Sequence, residues 1–183
     1  MVLIDGKKVS AEIRSRLTKE TAELKSKTGL VPGLATVLVG EDPASAVYVR
    51  NKNKICHEVG FQSFEQNLPA ETTEAQLMDL IHELNGNDAI NAILVQLPLP
   101  DHIDSQKILL SIDPEKDVDG FHPINVGKLA LGNALLTPCT PTGIIALLDY
   151  YNIEIVGKHA VVLGRSNIAV SYTHLTLPTN REV

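Results

Sequence analysis

The sequence predicts an α/β fold in which a parallel sheet is covered on both faces by helices, giving three layers. Three observations predict it. Gly33–Val39 and Ala89–Val95 are nearly continuous apolar runs rich in β-branched residues, the pattern of strands buried on both faces. Segments with apolar residues at helical spacing lie around them, punctuated by capping residues and glycines. The resulting order of strand, helix, strand, helix, strand calls for parallel strands joined by right-handed crossovers.

Taken in order, residues 2–5 read as a short strand turned by Asp5 and Gly6. Val9, Ile13, Leu17 and Leu24 form the stripe of a helix over residues 9–27, with charged residues on its other face and Gly29 as its stop. The strand Gly33–Val39 ends at Gly40. Asp42 and Pro43 then start a helix, Asp42 capping free N–H groups and Pro43 fitting the first turn, and Gly60 stops it. Residues 61–68 read as the next strand. Thr72, Thr73 and Glu74 begin a helix whose apolar positions are Leu77, Leu80, Ile81 and Leu84, closed by Gly86. After the strand Ala89–Val95 come short helices at 104–112 and 125–133, and a helix from Ile144 to Tyr151 with Thr140 and Pro141 at its start. Gly157–Gly164 reads as a strand that ends in glycine and opens a second α/β unit.

Composition narrows the function classes. The 183 residues are 44% hydrophobic and 21% charged, as in ordinary globular proteins, with a net charge of −6. An acidic chain without a basic block argues against general nucleic-acid binding. No apolar run is long enough to span a bilayer, and the N-terminus lacks the charge order and apolar core of a signal peptide. Cys56 and Cys139 are far apart and show no metal spacing, so they read as reduced thiols of a cytosolic protein. The six histidines are scattered, with no pair at ligand spacing, so no metal site is expected.

Ligands of open parallel sheets gather beyond the carboxyl ends of the strands. Two strand ends therefore carry the candidate chemistry. At the first, Tyr48, Lys52, Ile55 and Val59 share one helical face. A lysine in an apolar stripe either snorkels to water or opens into a cleft that needs an amine. At the second, Gln96 interrupts the apolar run before Pro98 and Pro100. Its amide either bonds the adjacent loop or points at the same cleft as Lys52. The loop 113–125 holds several carboxylates, a glycine and two prolines. It reads either as a solvated turn around Asp117–Gly120 or as a functional loop at a domain junction, and it lacks the ligand spacing of an EF-hand. Gly164, Arg165 and Ser166 stand where a phosphate-binding turn would lie, although the full dinucleotide fingerprint is absent.

Five stretches occur in an order that closely resembles the bifunctional methylenetetrahydrofolate dehydrogenase/methenyltetrahydrofolate cyclohydrolase (FolD) family. They are Ser45-x-x-Tyr48-Val-x-x-Lys52, Val95-Gln96-Leu97-Pro98-Leu99-Pro100, Pro114-x-Lys116-Asp117-Val-Asp119-Gly120, Pro138-Cys-Thr-Pro-x-Gly143 and Val-Leu-Gly164-Arg165-Ser166-x-Ile168. The resemblance spans about residues 1–168. It implies a folate-binding catalytic domain over 1–121 and the beginning of a Rossmann NADP-binding domain over 122–170, with a homodimer in the full-length family. It assigns catalysis to Lys52, Tyr48, Gln96 and Asp119. Substrate contacts fall to Tyr48, Val49, Arg50, Asn51 and Lys52, to Val95, Gln96 and Leu97, and to Asp119; NADP phosphate contacts fall to Gly164, Arg165 and Ser166. The implied chemistry is oxidation of 5,10-methylenetetrahydrofolate by hydride transfer, followed by hydrolysis of the methenyl cation to 10-formyltetrahydrofolate.

These residue types suit those roles. An amine beside the cation, kept partly neutral by apolar neighbours, can act as base or organise the attacking water. Tyr48, one turn before Lys52, can pack on a flat pterin, and Asp119 can accept hydrogen bonds from pterin N–H groups. Arg165 can pair with a 2′-phosphate, which favours NADP over NAD.

After Ile168 the family pattern stops. Residues 171–183 show no helical periodicity and contain Pro178, so they read as a non-native tail, such as translated adapter or vector, fused to a truncated gene. With most of the second domain missing, the chain is expected to bind NADP poorly. Two other readings compete: a dehydrogenase of another small substrate on a similar two-domain plan, and a folate-binding module without catalysis.

Overall fold

The computed structural model describes residues 3–163 and residue 173. By internal contacts the chain divides into two units. One is Glu12–Val118; the other joins Met1–Ala11 to Asp119–Val183. The expected boundary near residue 121 lies close to this division, but the sequence pattern gave no sign that the first eleven residues group with the later segment.

The Glu12–Val118 unit is built on a three-stranded parallel sheet in the order β2-β1-β3, with β1 (Gly33–Val39) in the centre, β2 (Gln62–Leu68) on one side and β3 (Ala92–Val95) on the other. Ala35 and Val37 of β1 stand beside Ile93 and Val95 of β3 on one face. Leu77, Ile81 and Leu84 of α3 (Glu74–Gly86) and Ile108 of α4 (Ser105–Ser111) close that face into the main core. Each such fully buried aliphatic side chain contributes about 1.5–3 kcal/mol. The alternate residues of β1 face α2 (Pro43–Val59), where fully buried Thr36 bonds to Asn53. The sheet therefore has helices on both faces, as the apolar runs predict.

Local signals fix the helix ends. Asp42 accepts from the Ser45 N–H, Pro43 opens α2, and Gly60 ends it in the left-handed region at φ 85°. Thr73 and Gln76 form a reciprocal capping box at α3. We expect Thr73→Ala to cost about 0.5–2 kcal/mol, read as a lower urea midpoint; an unchanged midpoint would deny the box a stabilising part. Glu74 ties α3 to α4. Its carboxylate accepts from the Asp104 N–H and the Lys107 ammonium, contacts that hold the Glu74 carboxyl below its ordinary range and the Lys107 ammonium above its own.

Several expectations are corrected. Residues 3–5 form no strand. Asp5 Oδ1 instead accepts from the N–H groups of Lys7 and Lys8, so α1 starts at Gly6 and runs to Thr28. The predicted stripe of α1 holds at buried Val9 but fails at Leu24, which is 38% exposed, while Thr21 is buried beside the Gly60 turn. In α2 the buried face is Ser45, Val49, Asn53, Cys56 and Val59. Tyr48 and Lys52 flank that face, because small polar residues rather than large apolar ones meet the sheet. The third strand is shorter than the apolar run, starting at Ala92.

In the other unit, α5 (Pro123–Ala130) is capped by His122, and α6 (Cys139–Tyr150) follows. The N-cap of α6 is Pro138, without a side-chain cap, rather than Thr140. The Asp5 N–H donates to the Tyr151 hydroxyl at 2.9 Å, and the Lys8 ammonium lies 5.6 Å from the centre of the Tyr150 ring, which explains why the N-terminal residues group here. The expected strand over 157–164 is absent from 157–163; Val161 and Leu163 are 71% and 92% exposed, and residue 164 lies outside the described residues. A strand needs a ladder partner, and the described residues of this unit supply none. Among the described residues, no helix is long and apolar enough to cross a membrane.

Candidate functional site

The site assembles where α2 passes the end of β3. Lys52 is half-buried, and its ammonium donates to Gln96 Oε1 at 3.2 Å, across 44 residues of chain. Gln96 is the first residue after β3. Its N–H donates to the Val37 carbonyl at 2.9 Å, continuing the ladder with the central strand. Its Nε2 donates to the Leu97 carbonyl at 2.7 Å, which leaves Oε1 as the end that faces Lys52. Gln96 thus bonds the adjacent loop through Nε2 while its Oε1 meets the Lys52 amine.

Tyr48, one turn before Lys52, is 64% exposed, so its ring is open to a flat ligand. Arg50 and Asn51 are exposed as well. Val49 and Val95 point into the protein, with exposures of 3% and 2%, so only their backbones can meet a ligand; Leu97 packs against the core. Among the described residues, a cavity of about 560 Å³ lies on the other flank of α2, bounded by Gly40, Arg50, Lys54 and Glu65, and it includes neither Lys52 nor Gln96. Lys52 and Gln96 lie outside the lining of that cavity.

Asp119 is half-buried and belongs to the other unit. The next residue, Gly120, has φ 66°, and a Cβ there would stand 3.1 Å from Pro138, so glycine answers both a left-handed backbone and a close approach. Gly164, Arg165 and Ser166 lie outside the described residues.

Two residues near the site carry roles that the sequence pattern did not disclose. Lys116 donates to the carbonyls of Leu84, Asn85 and Asn87, closing the C-terminus of α3 with a cation. Asp117 is 2% exposed and forms a parallel bridge with Ile93, while the Ile93 N–H donates to the Lys116 carbonyl. Lys116 and Asp117, in the loop for which a solvated turn is one of two readings, run along the outer edge of β3. The sequence offered only a basic residue in an acidic loop, which does not single out the end of α3 as its partner.

The family model for the tetrahydrofolate dehydrogenase/cyclohydrolase catalytic domain matches residues 4–119, and that for the NAD(P)-binding domain of the same enzymes matches residues 138–181. The second match reaches into the segment read as a tail, whereas alignments with curated relatives extend over 166–170 residues. The bifunctional protein FolD of Geotalea uraniireducens is 55% identical over 91% of this chain and 59% of its own length; that of Streptococcus gordonii is 54% identical over 91% and 58%. The chain thus spans about three-fifths of the length of the curated relatives it matches. Among solved structures, the bifunctional FolD of Campylobacter jejuni superposes with a TM-score of 0.93 at 48% identity, covering 96% of this chain and 62% of that one. The Trypanosoma brucei enzyme, solved with NADP cofactor and an inhibitor, gives a TM-score of 0.92 at 41% identity over 96% and 60%. On the match over residues 4–119, the chain belongs to the tetrahydrofolate dehydrogenase/cyclohydrolase family.

Proposed function

We propose that this chain carries the folate site and the beginning of the cofactor domain of an enzyme that oxidises 5,10-methylenetetrahydrofolate and hydrolyses the methenyl product to 10-formyltetrahydrofolate. The observation that carries the reading is the bond from Lys52 to an oriented Gln96. Hydrolysis requires water to attack an amidinium-like carbon and then lose a proton. Gln96 accepts one N–H of the Lys52 amine, and a deprotonated amine held in this way turns its lone pair toward the proton that the water sheds. The exposed ring of Tyr48 offers a face for the pterin, and Asp119 is a suitable acceptor for its N–H groups. Val49, Arg50, Asn51, Val95 and Leu97 complete the proposed substrate contacts, two of them through backbone alone.

NADP is the proposed hydride acceptor, supported by the second family match. Its phosphates are assigned to Gly164, Arg165 and Ser166. Activity is assigned to the cytoplasm, and a homodimer is the proposed assembly when the NAD(P)-binding domain is complete. The proposed domains remain 1–121 and 122–170, with 171–183 as a tail.

The test is a folate titration of the 183-residue chain, with and without NADP. The expected result is saturable folate binding that Tyr48→Ala weakens, with NADPH formation far slower than that of a full-length relative. Absence of folate binding would contradict the reading. NADPH formation at a relative's rate would overturn the expectation that this chain serves the cofactor poorly.

A further inference from the structure

We propose that Asn53 is a positioning residue: it fixes where α2 rests on the sheet, and through that where Lys52 meets Gln96. The proposal rests on the role given to Lys52 above, but its test reads the amine directly and needs no folate.

The buried face of α2 is made of Ser45, Val49, Asn53, Cys56 and Val59. These are short side chains, and apolar contact between a helix and a sheet has no direction of its own. Such a face resists separation from the sheet better than it resists a slide or a small rotation. Asn53 supplies the missing direction. It is 4% exposed, and its Oδ1 accepts from Thr36 Oγ1 at 3.0 Å and from Ser63 Oγ at 3.2 Å. Thr36 lies in the central strand and Ser63 in β2, so one atom of the helix is tied to two strands. Such a tie has a single register, as with a lone buried asparagine that sets alignment in coiled coils.

The other end of the same amide has no partner: Nδ2 is buried and unbonded among the described residues. A buried donor left in this state lowers stability relative to an apolar side chain of similar shape. The two bonds to Oδ1 are what give this helix its alignment on the sheet.

The next link is one residue away. Lys52 precedes Asn53, and its bond to Gln96 is 3.2 Å long, at the outer end of the ordinary range. The sheet side of that bond is fixed by the Gln96 contacts to Val37 and Leu97. What remains free to move is the helix, and a displacement of about 1 Å would break the bond.

The test is acylation of the chain by acetic anhydride at one pH, with Lys52 labelling measured against exposed Lys54 on the same helix by peptide mass spectrometry. The apolar triple variant Thr36→Val, Ser63→Ala and Asn53→Leu removes the tie without leaving a hydroxyl or amide unpartnered. The expected result is a melting temperature at or above that of the parent, with the Lys52:Lys54 ratio raised about threefold to tenfold, the equivalent of one lost hydrogen bond. Gln96→Leu should give the same rise. Should the triple variant fail to fold, Thr36→Val and Ser63→Ala singly remove one bond each and should raise the ratio in smaller steps. A parental ratio in a folded variant, or in Gln96→Leu, overturns the proposal. Failure of folate binding with these ratios as expected would sink the functional reading and leave the role of Asn53 intact.

Discussion

Lys52→Met lowers the cyclohydrolase rate by about 10²- to 10⁴-fold, the usual worth of a positioned proton-transfer group. The assay belongs in a version carrying a complete NAD(P)-binding domain, with methenyltetrahydrofolate hydrolysis followed by absorbance. Methionine keeps most of the stem that half-buries Lys52 and deletes only the amine that Gln96 holds. Stability should therefore move by no more than about 0.5 kcal/mol, and folate affinity should change far less than the rate. That split separates a chemical role from a packing role. Unimpaired hydrolysis in this variant would remove Lys52 from the mechanism.

Gly33→Ala destabilises the Glu12–Val118 unit by about 3 kcal/mol or more, at the upper end of overpacking effects. Gly33 begins the central strand, and its backbone lies against the turn before β3. Its N–H donates to Asn91 Oδ1, and its carbonyl accepts from the Asn91 N–H, both at 2.9 Å. A Cβ at this position would collide with the carbonyl oxygen of Ala89 and meet the Phe64 ring at 3.0 Å. The first obstacle is backbone and cannot rotate aside, so the turn or the strand must shift. Gly86 is the contrast: a Cβ there meets nothing within 4 Å, and Gly86→Ala should be neutral or stabilising by up to about 1 kcal/mol. Denaturant melts of the two variants measure the difference. A Gly33→Ala protein within about 1 kcal/mol of its parent would refute the close approach.

The parts of this fold that could be read from the sequence are those set by local physics. Asp42, Pro43 and Gly60 bound α2 because caps act within a few residues, and Thr73, read with Thr72 and Glu74 as the start of α3, caps it for the same reason, although its partner proves to be Gln76. The run ending at Val39 could be placed as a buried strand because both its faces are apolar or satisfied. What escaped depends on distant partners. Asp5 reads as a turn residue until it is seen capping α1, and Tyr151 is what holds its N–H. The buried face of α2 was misjudged by about one residue because Ser45 and Asn53 are polar, and only Thr36 and Ser63 show why Asn53 is inside. The strand expected after Gly157 had the right composition but no neighbouring strand among the described residues. At the site, the meeting of Lys52 and Gln96 could be inferred because five motifs in order specify a family. The service of Lys116 to three carbonyls of α3 and its following turn could not, since a basic residue in an acidic loop has many readings.

The most direct measurement is a crystal structure of the protein with a methenyltetrahydrofolate analogue bound. The expected result is the pterin face against Tyr48 and the Lys52 nitrogen within about 3–3.5 Å of the one-carbon centre, or one water away, with Gln96 still holding the amine. A ligand seated elsewhere, with Lys52 pointing to solvent and its bond to Gln96 open, would contradict it.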